Sequence, residues 1–131
     1  MLSHIRTSKA NKEIVQRLTR KLNLGTENII ARIAFSYSLS KGQKLDLKDM
    51  ADSGGKEYSK NVFFGENYDI YTGLLIAHYR LHQSHNDLPK YLKMHVDDGL
   101  VMLDKELSEN PNIEGFEFLA DKIEGSLKQI I

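Results

Sequence analysis

The sequence of 131 residues contains no cysteine. This absence excludes disulfide bonds, cysteine nucleophiles, thiolate zinc sites and iron–sulfur ligation by the chain itself. Long apolar runs are missing too: stretches such as Leu74 to Ala77 are far shorter than the roughly 18 residues of a membrane span. The first residues lack the apolar segment of a signal peptide, so we expect a cytoplasmic protein with no membrane contact.

The remaining composition is that of an ordinary globular domain, with 40% hydrophobic and 27% charged residues. Length and composition predict a single domain over residues 1–131 and argue against disorder. The net charge is zero, but residues 1–60 hold twelve lysines and arginines against six carboxylates, and residues 61–131 hold the reverse. Such a separation predicts a basic face for a polyanion and an acidic face elsewhere.

The N-terminal part of the chain has the pattern of a short strand followed by two helices. Residues 5–8 are predicted to be extended, and Ser8 is suited to cap the helix expected after them. Apolar residues in that helix recur every three or four positions, which places its lysines and arginines on the opposite face. A second helix is expected to begin at Thr26. This order predicts a ribbon-helix-helix-like unit.

The whole pattern predicts a mainly α-helical fold of about five helices in one compact domain. Residues 40–61 are polar, contain glycine and show no sustained period, so we expect a flexible loop with one short helical turn. Three further helices are expected over about 67–83, 89–107 and 114–129, the last within an acidic C-terminal segment at 111–131. The apolar stripe of the first of these three is predicted to be Ile70, Leu74, Ala77 and Leu81.

Three histidines, His78, His82 and His85, have the spacing of one helix face, and imidazole is the commonest metal ligand. They lack the glutamate of the His-Glu-x-x-His motif, and histidines on a helix surface are the alternative. Acidic residues such as Asp97 and Asp104 lack a third ligand or a calcium-loop glycine. We therefore expect no metal, no cofactor and no catalytic residue.

A stronger signal is a group of six basic residues near the N-terminus. Lysines and arginines on one helix face neutralise phosphates and release counterions, which favours nucleic acid without reading its sequence. An ordinary solvated face is the alternative, but residues 97–124 carry nine acids against two bases, a separation that solubility alone does not need. For Arg32, packing and DNA contact both stay open. The residues predicted to bind DNA are Arg6, Lys9, Lys12, Arg17, Arg20 and Lys21.

Several motifs occur in an order that resembles the DNA sulfur modification protein DndE family. They are Ile5-Arg6-Thr7-Ser8 before the basic helix, the stretch from Leu24 to Phe35, Gly55-Lys56-Glu57-Tyr58-Ser59 with Phe64-Gly65-Glu66, and His95-Val96-Asp97-Asp98-Gly99-Leu100. Their shared order and spacing over residues 4–103 are more specific than any one motif. The acidic segment after Pro111 lies outside the resemblance.

The resemblance implies a helical, non-catalytic DNA-binding accessory of the bacterial phosphorothioation machinery, which exchanges a phosphate oxygen of DNA for sulfur. It further implies assembly with the DndC and DndD proteins, a homo-tetramer and a preference for nicked duplex. The lack of cysteine fits, because sulfur transfer would then belong to partners. The alternative is a dimeric ribbon-helix-helix transcription regulator, in which two chains pair their first strands and read the major groove through Arg6 and Thr7.

Overall fold

The computed structural model describes residues 4–82 and 87–130, apart from the side chains at 116, 123 and 125–130. Within these residues the fold is mainly helical, with six α-helices and a two-stranded sheet, so the expected fold class is confirmed with one short helix more. The described residues include no helix that is both long and apolar enough to cross a membrane. The elements are β1 (His4–Arg6), α1 (Lys9–Leu22), α2 (Glu27–Ser40), β2 (Glu57–Ser59), α3 (Lys60–Phe64), α4 (Tyr68–Tyr79), α5 (Leu88–Glu109) and α6 (Gly115–Ile130).

The two strands pair antiparallel within the chain, and Arg6 lies opposite Glu57. The predicted loop over 40–61 is therefore wrong at its end, because β2 and the start of α3 fall inside it. Arg6 and Glu57 are 51 positions apart and the other pairs are further apart, so the pairing leaves no local period in the sequence. Between α2 and β2 the structure has one 3-10 turn, Leu47–Asp49.

Helix α5 is the central helix of the fold, and α2 is its most extensive neighbour. Buried residues occur on α5 from Leu92 to Leu107. The two helices approach closely at Gly99, where a Cβ atom would lie 1.8 Å from the carbonyl oxygen of Ala34. Phe35 of α2 is fully buried and belongs to the same core. A glycine is therefore needed at this crossing.

Helix α4 turns a different face inward from the one predicted. Leu75 is fully buried, whereas Ile70 is 63% exposed and Leu74 is 46% exposed. The ring of Tyr71 packs edge-on against that of Phe35, with 5.7 Å between the centroids. The predicted aliphatic stripe was wrong because the tyrosines, whose rings bury large apolar areas, supply much of the inward face.

Candidate nucleic-acid interface

The first turn of α1 is fixed by buried polar groups. Ser8 is its N-cap, and Oγ of Ser8 accepts a hydrogen bond from the Asn11 N–H at 3.2 Å. The Ser8 N–H and the Asn11 side-chain amide both donate to Oδ1 of Asp97, at 3.0 and 2.8 Å. Lys93 forms a buried ion pair with Oδ2 of the same carboxylate. These contacts hold the start of α1 against α5.

The connection between β1 and α1 is fixed by Thr7, which is fully buried. The Thr7 N–H donates to the Lys56 carbonyl at 2.9 Å, and the Thr7 carbonyl accepts from the Gly55 N–H at 3.0 Å. Gly55 allows this approach, because a Cβ atom there would lie 2.0 Å from the Ser8 carbonyl oxygen. The sequence motif at residues 5–8 therefore contacts the motif at residues 55–59. Asp97, from the motif at residues 95–100, binds the same segment through Ser8.

A second carboxylate faces the start of α1 from the loop before β2. Oδ2 of Asp52 accepts hydrogen bonds from the N–H groups of Lys9 and Gly54, each at 3.0 Å. These two bonds lower the pKa of Asp52, so this carboxyl is ionised at neutral pH. The first turn of α1 contains no acidic residue of its own. Asp52 therefore supplies the negative charge that favours a helix N-terminus.

Most of the residues predicted to bind DNA lie on the exposed part of α1. All six are exposed, and the five that lie on α1 fall outside its buried stripe: Lys9, Arg17 and Arg20 lie opposite the buried residues, and Lys12 and Lys21 flank them. Glu13 lies among them, so the surface is basic without being uniformly positive. Together these six residues form the basic face: Arg6, Lys9, Lys12, Arg17, Arg20 and Lys21.

Three members of the basic face are already bound by other groups of the chain. These contacts join Arg6 to Glu57, Arg17 to Asp104, and Lys21 to the carbonyl oxygen of Pro111. The side chains of Lys9, Lys12 and Arg20 have no hydrogen bond or ion pair with the described part of the chain. The expected separation of charge is incomplete, because Asp104 of the acidic region lies beside the basic face.

The side chain of Arg32, a residue of α2, contacts the backbone of α3. Its Nη2 donates to the Val62 carbonyl at 2.9 Å, and its Nε donates to the Phe63 carbonyl. The side-chain amide of Asn28 also donates to the Val62 carbonyl, at 3.2 Å. Of the two roles left open by the sequence, the structure favours packing.

His78 and His82 do not lie on one helix, so the predicted common helix face is wrong for these two residues. Helix α4 ends before His82, because Arg80 adopts the left-handed conformation with φ of 55°. His85 lies outside the described residues. His78 donates from Nε2 to the Gln43 carbonyl at 2.7 Å. In the described ranges, no three metal-ligating side chains come together.

His95 of α5 is fully buried at the centre of a chain of hydrogen bonds. The Ser38 hydroxyl donates to Oδ2 of Asp98 at 2.6 Å, because a carboxylate only accepts. Nδ1–H of His95 therefore donates to Ser38 Oγ at 2.8 Å, and Nε2 accepts from the Tyr79 hydroxyl at 2.7 Å. Burial lowers the pKa of His95 to about 4, so the ring is neutral at pH 7. This network was not predictable from the sequence, because its members come from three different helices.

A family model described as DNA sulphur modification protein DndE matches residues 4–111. The crystal structure of DndE from Escherichia coli B7A, involved in DNA phosphorothioation modification, is similar with 24% identity and a TM-score of 0.63, over 79% of this chain and 99% of that chain. A DndE G21/24K mutant involved in DNA phosphorothioation is similar with 26% identity and a TM-score of 0.64 over the same shares. No curated protein matches the chain. Because the family model covers most of its length, the chain belongs to the DndE family of DNA sulphur modification proteins.

Proposed function

We propose that this DndE family member is a non-catalytic subunit that binds duplex or nicked DNA through the basic face. The observation that carries the proposal is the exposure of Lys9, Lys12 and Arg20, unpaired within the described structure, on one side of an anchored helix. Such side chains neutralise phosphates and release counterions. Phosphate contacts position a protein on DNA without reading the bases, so the binding has little sequence preference.

The basic face contains two kinds of cation with different expected roles. Lys9, Lys12 and Arg20 can approach a phosphate without breaking a contact within the protein. Arg6 and Arg17 each hold a carboxylate, so they reach DNA only with their remaining N–H groups or after leaving that carboxylate. The main phosphate contacts are therefore assigned to the three unpaired residues.

Family membership also supports a place within a larger assembly. The proposed partners are the DndC and DndD proteins of the same system, and the proposed oligomer is a homo-tetramer in the cytoplasm. Several copies of the basic face would then contact one DNA molecule, which raises the overall affinity without new kinds of contact. This chain has no cysteine, so the sulfur-transfer chemistry is assigned to its partners.

The regulator alternative is not supported by the arrangement of β1. In a ribbon-helix-helix dimer this strand pairs with its copy and presents side chains to the major groove. Here β1 pairs with β2 of the same chain, Arg6 binds Glu57, and Thr7 is fully buried. Thr7 is therefore not accessible to bases, and Arg6 lies on a strand that already has its partner within the chain.

The test of the proposal is the affinity for a fluorescent duplex, intact or nicked, measured by anisotropy at two salt concentrations. Three phosphate contacts predict that affinity falls about 40-fold between 50 and 200 mM salt. The variant Lys12→Glu with Arg20→Glu should bind both duplexes at least about tenfold more weakly and lose most of the salt dependence. Because the contacts are to phosphates, the loss should be the same for unrelated sequences.

The matched control is Lys44→Glu with Lys105→Glu, which makes the same change in net charge at two exposed lysines outside the basic face. This control should keep most of the affinity of the original protein. Equal affinity of the two double variants, with both shown to be folded by circular dichroism, would contradict the role of the basic face. A loss confined to one DNA sequence would contradict the assignment to phosphates.

A further inference from the structure

A groove opens between α1, α5 and the loop that precedes β2, and its volume is about 420 Å³. Its walls are largely apolar, with Ile14 from α1, Met94 and Val101 from α5, and Met50 from the loop. Val101 is 54% exposed and Met50 is 37% exposed, so apolar surface faces solvent at this place. Exposed apolar surface with polar residues around it is typical of an interaction site.

The charged residues that line this groove are all acidic: Asp46, Asp49, Asp97 and Asp98. Two of them are compensated, because Asp97 pairs with Lys93 and Asp46 pairs with Lys48. The carboxylates of Asp49 and Asp98 have no ion pair with any described residue. The groove therefore combines an apolar surface with two uncompensated negative charges.

We propose that this groove binds a lysine or arginine side chain of a partner protein, presented between apolar residues of that partner. Long cationic side chains lay their aliphatic stems on apolar surface and place the charged group in a polar environment. The walls of the groove accept the stem and the flanking apolar residues, and Asp49 and Asp98 attract the charge. DNA is the wrong occupant, because these carboxylates repel its phosphates.

Both walls of the groove are held in place before a partner binds. On the loop side, the Leu45 N–H donates to the Tyr79 hydroxyl at 2.9 Å. On the α5 side, the carboxylate of Asp98 accepts from the Ser38 hydroxyl. A preformed site loses less conformational entropy on binding than a flexible one, which favours specific recognition of a short segment.

The experiment is a nuclear magnetic resonance titration of the full ¹⁵N-labelled chain with the peptide acetyl-Ala-Leu-Lys-Leu-Ala-amide. The control peptide has the same sequence with norleucine in place of lysine. We expect saturable shifts at the amides of Ile14, Met50 and Val101, and binding of the norleucine peptide that is about fivefold weaker or worse. Equal binding of the two peptides overturns the proposal. Shifts that map instead to the exposed residues Ile70 and Leu74 of α4 also overturn it.

Variants that remove acidic charges test whether the peptide binds in the groove or elsewhere on the surface. Asp49→Asn with Asp98→Asn removes both uncompensated charges and keeps an acceptor oxygen for Ser38, so we expect binding about tenfold weaker or worse. The control, Glu66→Gln with Asp69→Asn, makes the same charge change at exposed residues away from the groove and should have no effect. Unchanged binding by the groove variant overturns the proposal even if the peptide binds.

A second pair of variants tests the apolar wall without the risk of disturbing the core. Val101→Lys places a cation at the rim and should abolish peptide binding, whereas Leu74→Lys, at an exposed position of α4, should leave it unchanged. Peptide binding that survives Val101→Lys overturns the proposal. A duplex that shifts the groove amides in place of those of α1 assigns the groove to nucleic acid and also overturns it.

Discussion

The neutral ring of His95 makes the stability of this protein depend on pH. Burial lowers its pKa from 6.5 to about 4, and both ring nitrogens are used by Ser38 and Tyr79. Between pH 6.5 and about pH 4, the imidazole of His95 binds a proton in the unfolded chain but not in the native protein. The contribution of His95 to the free energy of unfolding is therefore fully present above pH 6.5. It falls by about 3 kcal/mol as the pH drops to 4.

We expect His95→Gln to be less stable than the original protein at pH 7 and to change less in stability between pH 6.5 and 4. Glutamine keeps a donor and an acceptor but does not titrate in this range. Urea unfolding at a series of pH values measures both effects. The exposed residue His4 provides the control, since His4→Gln should keep the original slope. The same slope in all three proteins would contradict the assignment to His95.

Asp97 should contribute more to stability than any exposed carboxylate of the chain. Its removal leaves Lys93 buried without a partner and frees the donors of Ser8 and Asn11. We expect Asp97→Ala to lower the free energy of unfolding by about 3–5 kcal/mol. For Asp104→Ala the expected loss is below about 1 kcal/mol, because its partner Arg17 is largely exposed. Denaturant unfolding of the two variants at pH 7 gives the comparison, and equal losses would refute it.

Helices α2 and α5 are held at a short separation by the lack of a side chain at Gly99. A methyl group there would meet the backbone of Ala34 rather than a movable side chain. The helices would have to move apart, which disturbs the packing of Phe35 and its neighbours in the shared core. The short distance between α2 and α5 therefore depends on the packing of both helices, although it is Gly99 that permits it.

We expect Gly99→Ala to destabilise the protein by about 3 kcal/mol or more, because overpacking at a backbone contact cannot be relieved by a rotamer change. Gly73 of α4 offers a matched control, since nothing lies within 4 Å of the Cβ position there. Gly73→Ala should be stabilising by up to about 1 kcal/mol, because alanine is the better helix former. Thermal unfolding of both variants tests the difference, and a stable Gly99→Ala protein would disprove the close contact.

The hydrophobic core extends past the part of the chain that the family model matches. That match ends at residue 111, yet Phe118 of α6 is buried in the same core cluster as Leu18 and Leu107. Helix α6 also contacts α1, which carries the basic face. The acidic C-terminal helix is therefore packed against the domain through an apolar residue.

Phe118→Ala should lower the free energy of unfolding by about 3–5 kcal/mol, because it removes a large buried ring. The neighbouring exposed residue gives a control, and Glu117→Ala should change stability by less than about 0.5 kcal/mol. Calorimetry of the full chain measures both variants. A negligible effect of Phe118→Ala would show that α6 does not contribute to the cooperative unit.

Local signals in the sequence were enough to predict the start of α1, since the Ser8 cap and the apolar spacing lie within a few residues of each other. Contacts between distant positions were not predictable in this way. The pairing of β1 with β2, the Asp97 anchor and the contact between Arg17 and Asp104 all join residues more than 50 positions apart. The exposed cations of the candidate interface were visible in the sequence, whereas the carboxylates that bind some of them were not.

The hydrogen bond from Leu45 to Tyr79 links the surface of the protein to its interior. The Tyr79 hydroxyl that receives it donates in turn to the buried imidazole, and that donation ends once the imidazole gains a proton. The rate at which the Leu45 amide exchanges its hydrogen for deuterium therefore depends on the ionisation of a group that solvent does not reach. A single backbone amide in a surface loop thus becomes a spectroscopic reporter of acidity inside the core.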